Sequence, residues 1–138
     1  MVSFLEKPEQ FKAELKEKWL NYYEANRNWL QELMDRSGNW KQKIHSYEDE
    51  ELEQLGYNDY SPRRPNDCFI FGVISNLEPQ LSRLFNFLAP NDSLEFIKQL
   101  GLDFDPEIEL KKRSRQQSQQ QEKTAAEHLD KIREEIRT

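Results

Sequence analysis

Apolar residues recur along the first part of the chain at Phe11, Leu15, Trp19, Tyr22, Tyr23, Leu30 and Leu33. At about 100° per residue these spacings form one broad helical stripe, with Glu14, Glu17, Lys18, Asn21 and Asn28 lying off it. Pro8 suits the first turn of such a helix and Gly38 suits its stop, so the pattern predicts helix one over 8–36. The period is lost over 37–66, where Trp40, Ile44, Tyr47, Leu52, Leu55, Tyr57 and Tyr60 are scattered among charges. This excursion is expected to lie across an edge of the domain and cover apolar surface with Trp40, Tyr47 and Tyr57. Glu48–Gly56 is the one stretch within it that suits a short helix.

Helical spacing returns at Ile70, Val73, Ile74, Leu77, Leu81, Leu84, Phe85 and Leu88, after an Asn66 or Asp67 cap. Pro79 interrupts this run on its polar side, and the pattern predicts one kinked helix over 67–89. A short third helix is expected over 91–101, with Leu94, Ile97 and Leu100 inward and Gly101 closing it. Pro106 then opens another helix, with Asp105 as its cap. Beyond Leu110 the apolar content collapses into RSRQQSQQQ, and only Ala125, Leu129, Ile132 and Ile136 restore a narrow stripe. The pattern as a whole predicts an all-α fold. Two long antiparallel helices and a short third one form a small bundle over 1–110, followed by a charged, Gln-rich tail over 111–138 that is helical or disordered. Residues 107–138 are expected to be dispensable for folding but to contribute to association.

Composition narrows the function. With 138 residues and a formal net charge of −6, the chain is one acidic domain. General duplex binding requires a basic face, so nucleic acid is an unfavoured partner. No apolar run reaches the roughly 20 residues that span a bilayer, so no membrane span is expected. The single cysteine, Cys68, rules out an intramolecular disulfide and reads as a small core residue at the start of helix two. His45 and His128 lie far apart without further ligands at metal spacing, and Asp103, Asp105, Glu107 and Glu109 do not meet the calcium-loop pattern. No metal, cofactor or catalytic residue is expected, and the chain is read as no enzyme.

Two stretches carry the remaining chemistry. In KWLNYYEANRNWL, Asn26 falls inside the apolar stripe, where an unpaired amide would cost roughly 1–3 kcal/mol. Either it is bonded within the core, or Tyr22, Asn26, Arg27 and Trp29 line a ligand pocket between helices one and two. The second stretch is the tail stripe of Leu129, Ile132 and Ile136, which can bury itself only against a protein partner or another copy of the chain.

The K-W-L-x-Y-Y-x-x-N-R-x-W start, the R-R-P segment at 63–65 and the later L-x-F-D-P-x-I resemble an uncharacterised cyanobacterial family, a domain of unknown function. The resemblance covers about residues 8–110. It implies a cyanobacterial source and a cytoplasmic protein, and brings no catalytic residues with it. The expected function is a protein–protein interaction module, an adaptor or an assembly or regulatory factor, with the photosynthetic apparatus as its context. The alternative is a regulatory domain that binds a small molecule.

Overall fold

The computed structural model describes residues 3–137, with side chains through Arg133. Among these residues the elements run α1 (Pro8–Ser37), β1 (Trp40–Lys41), α2 (Asp49–Gln54), β2 (Arg64–Pro65), α3 (Asp67–Leu77), α4 (Leu81–Leu88), α5 (Ser93–Gln99) and α6 (Pro106–Arg137). The fold is a small all-α domain. Its sheet is one antiparallel pair, Trp40 opposite Pro65 and Lys41 opposite Arg64.

Helix α1 is the spine, 30 residues from Pro8 to a left-handed Gly38 whose N–H returns to the Met34 carbonyl. Phe11, Leu15, Trp19, Leu20, Tyr23, Leu30 and Met34 are its buried residues. The stripe is therefore turned slightly from the expected one. Leu20 and Met34 are inside, while Leu33 is 45% exposed and Trp29 47% exposed. Trp19 is fully buried at the centre of the core, where its ring lies 6.4 Å from Phe69 of α3.

The single kinked helix expected over 67–89 is two helices. A helical Pro79 would clash with the carbonyl four residues back, and it drives Glu78 to an extended φ of −136° and ψ of 100°. The Glu78 carboxylate then accepts from the Gln80 N–H at 3.0 Å, and α4 starts immediately afterwards. The second long helix is consequently α6, which packs on α1 through its first turns. Cys68 is exposed rather than a core residue, because Ile70 and Ile74 take the inner face of α3 and position 68 lies nearly opposite Ile70.

The 37–66 excursion packs as expected. Trp40 and Tyr47 lie against the main core, and Tyr47, Tyr57 and Tyr60 surround a satellite of Leu52, Leu55 and Ile108. A buried Arg64 holds this segment in place. Its guanidinium meets Asp67 at 2.8 Å and Asp103 at 2.8 Å, tying β2 to the start of α3 and to the α5–α6 link. Ser93 at the start of α5 donates to the other oxygen of Asp67 at 2.7 Å.

Candidate functional site

Helix α6 begins in a set of hydrogen bonds that fixes its direction. Asp105 is fully buried. One of its oxygens accepts from the N–H groups of Glu107 at 2.9 Å and Ile108 at 3.4 Å, capping the helix as the sequence suggests. The other accepts from the Tyr60 hydroxyl at 2.6 Å and the Arg63 N–H at 2.8 Å. Burial raises the Asp105 carboxyl above the ordinary aspartate value, against the pull of these four donors.

Glu107 anchors the next turn. It accepts from Tyr23 Oη at 2.9 Å, Arg27 Nε at 2.7 Å, Arg27 Nη2 at 2.6 Å and Gln31 Nε2 at 2.6 Å, which joins three turns of α1 to the base of α6. Burial, reinforced by the Glu107 charge, raises the Tyr23 hydroxyl and keeps it a neutral donor. Two residues further on, Glu109 meets Lys16 at 2.9 Å. Arg113 reaches Glu17 at 3.1 Å, Asn21 at 2.9 Å and Glu24 at 3.3 Å. Lys112 pairs with Glu51 of α2. Arg115 makes a final tether, donating to the Gln54 carbonyl at 2.6 Å.

Beyond these tethers α6 stands clear of the body. Every described side chain from Ser114 to Arg133 is exposed, Leu129 by 55% and Ile132 by 39%. Ala125, Leu129 and Ile132 follow steps of four and three, so they share one face of the helix. The side chain of Ile136, the third large member of the expected stripe, lies outside the described residues. An isolated helix this polar would be marginal, because nucleation is costly. Here the nucleus is the anchored stretch from Pro106 to Arg115, and the projecting turns need only propagate from it.

The four candidate ligand residues on α1 are placed differently from one another. Asn26 is half-buried; its amide donates to the Tyr22 carbonyl at 2.9 Å, and its oxygen accepts from Trp29 Nε1 at 2.9 Å. Tyr22 stacks on Trp19 with ring centroids 6.2 Å apart. Arg27 turns toward Glu107. Asn26 thus uses both ends of its amide within α1, at a half-buried position beside the exposed Trp29.

Among the described residues, no group of three or more His, Cys, Asp or Glu is placed to hold a metal ion, and no helix is long and apolar enough to cross a membrane. Sequence reasoning missed Arg64 and Glu107. The second of two adjacent arginines between prolines gives no sign of burial, and Glu107 reads as an ordinary first-turn acid until α1 is seen beside it.

A family model, DUF5331, described as a family of unknown function, matches residues 5–132. The match continues well past Leu110, so it takes in much of the Gln-rich segment that the sequence resemblance left outside. No curated protein and no solved structure matches the chain.

Proposed function

The chain belongs to DUF5331, a family of unknown function, and from that premise we propose that it is a non-enzymatic association module whose α6 arm docks on a partner protein. The observation that carries this reading is the arm itself, a helix anchored by buried and charge-assisted bonds at one end and exposed from Ser114 onward, with Leu129 and Ile132 uncovered. Burying a large aliphatic side chain stabilises a contact by about 1.5–3 kcal/mol. Two or three such residues, set against the cost of association, support a weak and reversible helix-in-groove contact. A preformed helix lowers that cost, since less ordering is needed on docking. Glu127, Asp130, Lys131 and Arg133 border the stripe and would set the orientation of the partner.

Within this reading the chain acts as an adaptor or an assembly or regulatory factor in the cytoplasm. The experiment is affinity purification of the tagged full chain beside a version ending at Gln116. A partner, or a second copy of the chain, recovered with the full chain and lost from the shortened one supports the reading. Equal recovery with both, or recovery with neither, contradicts it.

A further inference from the structure

The protein is acidic overall, with a formal net charge of −6, and most cations of its folded body are neutralised by a named carboxylate. The exceptions are unevenly placed. Among the described residues Lys41, Lys43 and Lys98 make no ion pair and no side-chain hydrogen bond, and all three line one cavity of about 500 Å³. Lys41 comes from β1, Lys43 from the loop that follows it, and Lys98 from α5, so three separate stretches of chain contribute lysines to the lining of one cavity. His45 adds an imidazole to the same wall, and Leu94 supplies an apolar patch.

The one carboxylate in the lining is Asp103, which is already engaged by the buried Arg64 guanidinium at 2.8 Å. Arg64 is shared between Asp103 and Asp67, so the three groups together keep one net negative charge beside the cavity, which offsets one of the three lysines and leaves the lining positive. Lys43 holds a left-handed backbone with φ of +65°, a conformation disfavoured for a residue with a Cβ. Strain of this kind is commonly retained where a loop must present a group in a set direction.

We propose that this cavity is a binding site for a small organic anion bearing a phosphate or diphosphate group. Ammonium groups act as point charges suited to phosphate, and three lysines in the lining of one cavity favour a multiply charged anion over a monocarboxylate. The volume lies in the range of metabolite-sized sites, and the Leu94 patch would take the organic part of the ligand. The site lies away from the α6 arm and goes beyond the association role, so either proposal can fail without the other.

The test is calorimetric titration of the full chain with inorganic pyrophosphate at low salt, with acetate as the monovalent control. Pyrophosphate is expected to bind saturably and acetate not to bind. The pair Lys41→Gln/Lys98→Gln is expected to weaken pyrophosphate binding by about tenfold or more, since it removes two of the three facing charges. The pair Lys7→Gln/Arg83→Gln, at cations that make no ion pair among the described residues and do not line the cavity, is expected to leave binding unchanged. Thermal unfolding of each variant checks its fold. Lys98→Gln alone, on an exposed position of α5, keeps the test open if Lys41→Gln disturbs β1, with an expected loss of about threefold. Absence of saturable pyrophosphate binding overturns the proposal, as does equal weakening in both pairs, which would mean diffuse attraction. Binding to phosphatidylglycerol vesicles without binding to pyrophosphate overturns it too, in favour of a membrane surface.

Discussion

Asp105 gathers four donors from two segments of chain, residues 60–63 and the start of α6, so its removal costs more than a helix cap. Asp105→Ala removes the cap, worth about 0.5–2 kcal/mol, and strands the Tyr60 hydroxyl and the Arg63 N–H, at about 1–3 kcal/mol for a buried unpaired group. The expected loss is about 2–4 kcal/mol in urea unfolding, against about 1 kcal/mol for Tyr60→Phe, which takes away one donor of the four. No loss in Tyr60→Phe beside a loss of about 1 kcal/mol in Asp105→Ala would mean that Asp105 acts as a local cap alone. At Asp67 burial pushes the carboxyl upward, but the hydrogen bonds from Ser93 and Arg64 outweigh it and hold it below the ordinary value. A lowered folded value means that the unfolded chain takes up this proton first. The contribution of Asp67 is therefore present above the unfolded value of about 3.9 and is lost as pH falls through the folded value. Asp67→Asn should destabilise the protein at pH 7 and progressively less as pH falls below 4, as read from unfolding midpoints across that range. A penalty independent of pH would remove the charge from the explanation. The capping role of Asp105 was legible in the sequence, because Pro106 marks a first turn and an aspartate before it is a cap by local chemistry. The roles of Arg64 and Glu107 were not, since their partners lie 39 and 80 residues away.

At the scale of elements, the sequence pattern located the helices well and misjudged their joints. The apolar period runs unbroken through Pro79 because α3 and α4 both face the same core, so periodicity alone carries no sign of the break. The backbone chemistry of proline does carry one, and it prevailed over the pattern. The two-residue strands left no trace, as a period of two cannot show over two positions. The expected boundary at Leu110 cuts inside α6, which runs on as one helix to Arg137. Its consequence can be measured by graded truncation. A chain ending at Gln116 keeps the Lys112, Arg113 and Arg115 contacts and should melt within a few degrees of the full protein. A chain ending at Leu110 loses them and should be less stable by about 1–2 kcal/mol, since partly exposed ion pairs contribute up to about 1 kcal/mol each. A full loss of folding at Gln116 would show that the distal arm is part of the core.

The whole molecule divides into a body in which α1, α3 and the start of α6 bury the core, and an arm that the body does not cover. The two ends of α6 obey different chemistry. Near Pro106 its polar groups are paired with α1, α2 and the 57–66 segment, whereas past Arg115 its described side chains face solvent. The sequence made the arm visible as a stripe without a core to bury it. It left the arm's helical continuity undecided, because that depends on the anchored nucleus at Pro106 and not on the glutamine-rich segment itself. The most direct test of the association role is Leu129→Ser/Ile132→Ser in the full chain, assayed by quantitative affinity purification alongside thermal unfolding. The account predicts an unchanged thermal midpoint and loss of the associated partner or second copy. An unchanged yield of partner from a folded double variant would contradict it.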